Sequence, residues 1–450
     1  MVKLISVVLM FGVGLSAEIN FDGTKTTNIP LSTKNDIQLP QVKSSSTKTL
    51  KEWTIMVYLN AKNDLEPYGI KDINEMEKVG SNDNLNIVVQ FGRIKGYDSS
   101  NGNWTGVRRY YITKDNDPNI INSQLIEDMG EVDMGSYKTL IDFGKWVKKN
   151  YPAAKYFLII WNHGSGWKKG FNQQLTRGIS YDEVSKNHIN TPQLGRALNE
   201  IGRVDIVGFD ACLMSMAEVI YEIKDYASYI IASEETEPGD GYTYDEFLSK
   251  LEQEPTMRPL DLAKAVVDAY ITHYQATGDG STQAIIRTSQ INDFLQIVNE
   301  FAYALSKLGD KNLIRSAVSK TQTYAMSDSK DLAHFASLIY SSTSDTTVKE
   351  KAKTLYKFIK NKLVAYNKYT NGGYSYWGGG SDYSNSNGVA IYIPSYSIAQ
   401  GYSELQWAKY SNWDEFLGWY LGKDSPSTSS QSQPSSADTV RWYEWLFGLE

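Results

Sequence analysis

The chain has 450 residues, of which 41% are hydrophobic and 22% charged, a composition typical of globular proteins that bury a large core. Its 45 basic and 52 acidic side chains give a net charge of −7 without a long run of either sign, so nucleic-acid binding through a basic face has little support. The one cysteine, Cys212, excludes an intramolecular disulfide and a cysteine-rich metal site.

The two ends of the chain differ in composition from its middle. Lys3 precedes an apolar run at 4–13, and small residues follow up to Ala17, a pattern that predicts a secretory signal cut after Ala17. The run is shorter than the roughly 20 apolar residues that span a bilayer, and the alternative is an apolar N-terminal strand. Residues 18–50 predict a flexible leader or pro-segment, and 425–450 a Ser-rich linker with an aromatic tail. We therefore expect an exported protein, periplasmic or extracellular.

Between these ends, candidate strands and helices alternate along the chain. The candidate strands are 53–59, 86–92, 104–112, 155–161, 204–209, 229–234, 282–288 and 388–394. The candidate helices are 136–149, 192–201, 213–225, 260–275 and 292–308, and 311–366 is predicted to be almost wholly helical. Several strands are unbroken apolar runs, which suit a parallel sheet covered by helices on both faces. The pattern predicts an α/β fold with a central, mostly parallel sheet and a helical C-terminal addition.

Two residues with useful chemistry follow directly after buried strands. His163 comes two residues after the strand ending at Trp161, and Cys212 three residues after the one ending at Phe209. If these strands are neighbours, both side chains lie at the same edge of the sheet, where α/β proteins place their active sites. A thiolate is a nucleophile, and an imidazole can exchange protons with it. The N–H groups of Gly164 and Cys212 are candidate donors to an oxyanion. The alternative is a structural loop histidine and a buried core thiol.

The remaining three histidines do not follow directly after a predicted buried strand. His188 lies in a polar stretch, whereas His273 and His334 fall within helical patterns. We expect structural roles for all three.

The motifs around both strand ends resemble the clostripain family of cysteine peptidases, which belongs to the caspase-like clan. One strand ends in Asn162-His163-Gly164 and the other in Asp210-Ala211-Cys212, and the similarity spans about residues 52–245. The resemblance implies a caspase-like α/β/α sandwich, with Cys212 as nucleophile and His163 as general acid/base. It also implies cleavage of protein or peptide substrates after Arg or Lys.

A pocket for a cationic side chain needs carboxylates at its base. Asp210, two residues before the nucleophile, is the first candidate, and Asp240 in the Pro-Gly-Asp-Gly loop is the second. Asp240 also matches a position of the resembled family that lines the pocket. The alternatives are an Asx-turn at Asp240 and a loop-capping role for Asp210.

The polar connection between the two catalytic strands is a candidate processing site. It carries basic residues that the proposed pocket would accept, and exposed polar loops are where proteolysis concentrates. The resemblance implies an activating internal cut here, which would leave a monomer of two chains. We expect the cut after Arg177, with Lys168 or Lys169 next. The alternative is an uncut, solvated loop.

We predict a caspase-like peptidase domain at 51–310, followed by a helical addition at 311–424 whose late strand packs on the core. No cofactor is needed for the chemistry. Calcium dependence is implied by the resemblance, but the chain has no EF-hand spacing and the metal ligands are unknown. Two other functions stay open: a caspase-like peptidase of different specificity, and a catalytically silent surface-binding protein.

Overall fold

The computed structural model describes residues 50–168, 178–373 and 380–422. Its strands are β1 Lys51–Ala61, β2 Leu85–Arg93, β3 Gly106–Tyr111, β4 Gln124–Gly130, β5 Ala153–Trp161, β6 Ile179–Asp182, β7 Asn187–Ile189, β8 Ile206–Asp210, β9 Tyr229–Ala232, β10 Ser281–Arg287, β11 Ser329–Asp331, β12 Val364–Thr370 and β13 Ala390–Tyr392. Its helices are α1 Glu66–Val79, α2 Tyr137–Asn150, α3 Thr191–Ile201, α4 Ala217–Ile223, α5 Tyr244–Gln253, α6 Pro259–Thr277, α7 Ile291–Leu308, α8 Lys311–Lys320, α9 Leu332–Ser342, α10 Thr346–Phe358, α11 Gln406–Tyr410 and α12 Trp413–Leu421.

A mixed sheet forms the centre of the fold. Within the described ranges it has nine strands in the order β12-β10-β9-β8-β5-β1-β2-β3-β4. The five inner strands, from β9 to β2, run parallel, and antiparallel strands extend the sheet on both sides. The carboxyl ends of the parallel strands therefore lie at one common edge.

Helices cover both faces of this sheet. Successive side chains of a strand point to opposite faces, so Ile55 and Val57 of β1 join a buried cluster with α1, α5 and α6. Met56 and Tyr58 join a second cluster with α2, α3 and α4. Every residue of β2 is buried, as expected for a strand covered on both sides. The predicted α/β/α sandwich is confirmed.

The C-terminal part differs in detail from the predicted helical stretch. The helical spacing continues through a π-helical turn at Ile359–Leu363, but the chain then becomes β12, which pairs with β10 at the edge of the main sheet. The prediction of helix up to 366 was therefore wrong for the last residues. The late strand is shorter than predicted and pairs with β11 in a separate two-stranded sheet. Strand β4 escaped prediction because it is mostly exposed and has no apolar run.

Several sequence-based predictions fall outside the described residues. They are the signal at 1–17, most of the 18–50 leader, the tail at 425–450, and the two processing residues Lys169 and Arg177. In the part of the chain that the structure does describe, no helix has the length and apolar character needed to span a bilayer.

Candidate active site

The two candidate catalytic residues lie beyond adjacent strands. β5 and β8 pair in parallel with Trp161 opposite Asp210, and the ladder continues as the Asn162 N–H donates to the Asp210 carbonyl at 3.2 Å. His163 and Cys212 each follow two residues after the end of their strand. The two strands are therefore neighbours, which is the condition under which both residues lie at the same edge of the sheet.

Cys212 is a partly buried thiol in a closely packed turn. Its Sγ accepts the Glu237 N–H at 3.3 Å. Burial and then the Glu237 carboxylate raise the pKa of Cys212 to about 12, and the N–H groups of Glu237 and Gly164 only partly oppose this. The resting thiol is therefore protonated at neutral pH and needs a base to become a nucleophile. Leu213, which follows, has a φ of 63°, a conformation that non-glycine residues rarely adopt.

Glycine is required at position 164 because two backbones meet there. A Cβ on Gly164 would lie 2.3 Å from the carbonyl oxygen of Cys212 and 3.1 Å from its nitrogen. The His163 loop and the Cys212 turn are thus in direct backbone contact, which a side chain would prevent. This proximity is compatible with the oxyanion role predicted for the Gly164 and Cys212 N–H groups.

A carboxylate orients the imidazole of His163. Its Nε2 lies 2.7 Å from Oδ1 of Asp64, and the hydrogen bond from His163 lowers the pKa of Asp64. Asp64 belongs to the turn after β1, where Asn63 accepts the Leu65 N–H at 3.0 Å. Because Nε2 is engaged, a general acid/base role of His163 would use the other ring nitrogen, Nδ1. Asp64 was not predicted as a site residue, although β1 ends at the same edge of the sheet as β5.

Asp210 is buried and has no ion-pair partner among the described residues. Only 4% of the residue is exposed. Oδ2 accepts a hydrogen bond from the Tyr244 hydroxyl at 2.9 Å, and Oδ1 accepts one from the Tyr242 N–H at 3.1 Å. Burial raises the pKa of Asp210 to about 7. The contact with the Tyr242 N–H is the loop-capping role considered above.

Two further carboxyl groups, which the sequence analysis did not single out, surround Asp210. Glu237 lies against it, with Oε1 accepting Nε2 of Gln283 at 2.8 Å. Asp72 on α1 is fully buried, and its Oδ2 accepts the indole N–H of Trp161 at 2.6 Å. Oδ1 of Asp72 is shielded from solvent and has no hydrogen-bond donor among the described residues. The Glu237 carboxyl also interacts with the Asp210 side chain and the Ala211 N–H. We call Asp72, Asp210 and Glu237 the carboxyl cluster.

Asp240 lies apart from this cluster and already has cationic neighbours. Its Oδ1 is 3.0 Å from Nζ of Lys71 and its Oδ2 3.2 Å from Nε2 of His273, with 37% of the side chain exposed. Burial by itself would raise the pKa of Asp240. The hydrogen bonds and charges of Lys71 and His273 outweigh burial, so the pKa is lowered. The next residue, Gly241, has a φ of 58° and packs so closely that a Cβ would be 2.6 Å from Asp210 Oδ1. The loop therefore borders the cluster, with Asp240 at its outer side.

The other residues named from the sequence each contact identifiable neighbours. Lys168 forms an ion pair with Asp328, and its ammonium lies 5.1 Å from the centre of the Tyr392 ring. His188 stacks on Tyr181, and Nδ1 of His334 accepts the Gln322 N–H at 2.9 Å, as expected for structural histidines. In the described ranges, no three His, Cys, Asp or Glu side chains converge as metal ligands, so calcium binding stays a prediction.

Comparisons with known proteins agree with the resemblance stated from the motifs. Two solved structures share the fold: an inactive zymogen C11 protease from Parabacteroides distasonis and a secreted C11 cysteine protease from Bacteroides thetaiotaomicron in complex with an irreversible peptide inhibitor. The first has a TM-score of 0.62 and 20% identity, covering 80% of this chain and 98% of that one. The second has a TM-score of 0.61 and 20% identity, covering 81% and 100%. The fold is thus that of a C11 protease, and the predicted caspase-like architecture is confirmed.

Sequence comparison identifies the family. The model of the clostripain family matches residues 57–420, so the chain belongs to the clostripain family. Clostripain from Hathewaya histolytica is 31% identical over 248 residues, which are 49% of this chain and 47% of that protein. The chain thus matches about half the length of this curated relative.

Proposed function

We propose that this protein is a secreted cysteine endopeptidase that hydrolyses peptide bonds after Arg or Lys. The observation that carries the proposal is the position of Cys212 and His163 beyond two paired strands, beside a buried carboxyl cluster. Membership of the clostripain family and the relative described as clostripain support the same activity. The secretory signal pattern and a solved relative described as secreted support export.

The proposed reaction uses the two catalytic residues in turn. His163 takes the thiol proton through Nδ1 as Sγ of Cys212 attacks the scissile carbonyl carbon, and the oxyanion is held by the N–H groups of Gly164 and Cys212. Collapse of this intermediate breaks the C–N bond, and His163 returns the proton to the leaving amine. Water then attacks the thioester, which releases the carboxylate product and restores the thiol. Asp64 holds the imidazole through Nε2 during these steps.

The carboxyl cluster provides the preference for basic side chains. A guanidinium or ammonium group would supply a cation to Asp210 and Glu237, neither of which forms an ion pair with a described residue. Charge-assisted hydrogen bonds to carboxylates are about twice as strong as neutral ones. Asp240 contributes from the outer side, where Lys71 already neutralises part of its charge. An uncharged residue before the cut would leave the buried carboxyl groups without compensation.

Peptide reporters ending in Arg, Lys, Asn or Asp test the activity and its specificity together. We expect hydrolysis of the Arg and Lys reporters only, and only with a reducing agent present, because the nucleophile is a thiol. Cleavage after Asn or Asp would support a caspase-like peptidase of other specificity. Absence of all cleavage by folded protein, also after the connection between the catalytic strands has been cut by an added protease, would support a silent binding protein.

Removal of either acidic side chain should weaken recognition of basic substrates. Asp210→Asn should lower kcat/KM for the Arg and Lys reporters by roughly 10²-fold or more, since breaking a buried charge pair costs about 3–5 kcal/mol. Asp240→Asn should have a smaller effect, because its side chain is more exposed and is already paired with Lys71. Thermal unfolding of each variant controls for the fold. Unchanged Arg and Lys preference in both would show that the pocket lies elsewhere.

We further propose that the enzyme activates itself by cutting the connection between its two catalytic strands. The cut is expected after Arg177, with Lys168 or Lys169 next. The ion pair of Lys168 with Asp328 supports this order, because it holds that side chain away from a pocket. Purified enzyme should run as two non-covalently associated fragments, Cys212→Ala should remain whole, and Arg177→Ala should process slowly or at another residue. A fully active intact chain, or the same cut in Cys212→Ala without added protease, would contradict self-processing.

A further inference from the structure

Two buried asparagines directly precede the two residues of the imidazole–carboxylate pair. Asn63 comes before Asp64 and is 1% exposed, and Asn162 comes before His163 and is 3% exposed. The pair itself is open to solvent, with 57% of the Asp64 side chain and 27% of the His163 side chain exposed. An exposed ion pair stabilises its own geometry only weakly. The orientation of the imidazole therefore depends on what fixes the two backbone segments.

Both asparagines donate to the same backbone carbonyl, that of Tyr181. Nδ2 of Asn63 lies 2.9 Å from this oxygen, and Nδ2 of Asn162 lies 3.2 Å from it. Asn162 also accepts the Tyr181 N–H through Oδ1 at 2.9 Å and donates to the carbonyl of Asn60. A third amide, that of Asn60, donates to the Tyr181 carbonyl at 3.2 Å. One carbonyl thus connects the turn after β1 to the loop after β5.

A bulge in β6 presents the Tyr181 carbonyl to these amides. The register of β6 on β7 shifts between Ile179 and Asp182, so that two residues of β6 lie opposite one of β7. The first of the two, Ser180, has a φ of 63°, and its hydroxyl accepts Nδ2 of Asn60 at 3.0 Å. Backbone strain of this kind persists where the surrounding contacts fix it. The bulge and the amides together hold the Tyr181 carbonyl between the ends of β1 and β5.

We propose that Asn63 and Asn162 are positioning residues, whose shared acceptor keeps Asp64 and His163 within hydrogen-bond distance. This inference rests on the proposed function. When either amide is lost, its backbone segment moves independently of the other, and the exposed pair no longer holds the ring in one orientation. Neither asparagine belongs to the carboxyl cluster, so we expect substrate binding to be unchanged. The expected signature is a fall in kcat without a change in KM.

Serine at either position removes the amide donor. Asn63→Ser keeps a side-chain oxygen that can accept the Leu65 N–H, as Oδ1 of Asn63 does at 3.0 Å, so the turn itself is retained. We expect kcat to fall by about tenfold in Asn63→Ser and in Asn162→Ser, the order of effect of one lost buried hydrogen bond. The connection between the catalytic strands is first cut by an added protease, which is then removed, so that slow self-processing does not lower the rate.

Double-mutant cycles separate positioning from a general loss of stability. Asn63→Ser should cause no further loss in the Asp64→Asn enzyme, and Asn162→Ser none in the His163→Ala enzyme, because each amide acts through the residue that follows it. Asn86→Ser is the matched control. Asn86 is also buried and donates through Nδ2 to a threonine hydroxyl of β1 at 3.0 Å, but at the opposite end of the sheet. This variant should keep the wild-type kcat.

The two asparagines give independent tests, so that if one variant does not fold, the other decides. A wild-type kcat, an increase in KM alone, a full further loss in the Asp64→Asn or His163→Ala background, or an equal fall of kcat in Asn86→Ser would overturn the inference. In each of these cases wild-type cleavage of the Arg and Lys reporters leaves the proposed function standing. If the wild-type enzyme cleaves no reporter, the proposed function fails and the inference fails with it.

Discussion

Replacement of Cys212 by alanine is expected to abolish hydrolysis of Arg and Lys reporters. Cys212 is the one thiol of the chain, and no other side chain can form the thioester on which the proposed mechanism depends. The measurement is initial velocity with purified protein at a concentration where the wild-type enzyme gives a strong signal. Wild-type rates in the Cys212→Ala protein would contradict the proposed mechanism.

Loss of processing must be distinguished from loss of chemistry, because the Cys212→Ala chain is also expected to remain uncut. Alkylation of wild-type enzyme after processing makes this distinction. One equivalent of reagent bound per chain should remove all activity from protein that already runs as two fragments. Residual activity after complete modification of Cys212 would contradict its role independently of processing.

Replacement of His163 by alanine is expected to lower the rate by roughly 10²–10⁴-fold, the usual contribution of a general acid/base. Without the imidazole, the reaction depends on the thiolate that forms spontaneously. Because burial raises the pKa of Cys212 to about 12, the residual rate should rise with pH by about tenfold per unit throughout the measurable range below that value. The pH profile of the variant between pH 6 and roughly 9 tests this.

Asp64→Asn provides a graded comparison for His163→Ala. The amide keeps a hydrogen-bond partner near Nε2 of His163 but loses the charge that orients the ring. We expect a smaller loss of kcat than in His163→Ala, with KM nearly unchanged and no steep rise of rate with pH. Equal losses in both variants would mean that Asp64 does more than orient the imidazole. A wild-type rate in Asp64→Asn would show that the contact is incidental.

Within the fold, the buried inner strands were predictable from sequence, whereas the edge strands were not. An inner parallel strand is covered on both faces, so β1 and β5 appear as continuous apolar runs that a local pattern reveals. β4 is exposed and polar, and β12 follows a helix without a break in hydrophobic spacing. β4 and β12 are strands because they pair with other strands of the sheet, and a local sequence pattern does not show such pairing.

Within the site, the two residues that follow the central strands were predictable from local sequence. His163 and Cys212 could be singled out because a short polar motif follows each apolar run, and strand ends in α/β folds carry the site. The residues that surround them depend on how distant segments of the chain pack. Asp64 meets His163 across 99 residues of chain, and Gln283 orients Glu237 across 46, contacts that depend on strand order and loop direction. Burial, which shifts the pKa of Cys212 and of the carboxyl cluster, is likewise a property of the packed molecule, because it arises only when distant segments exclude water from the same place.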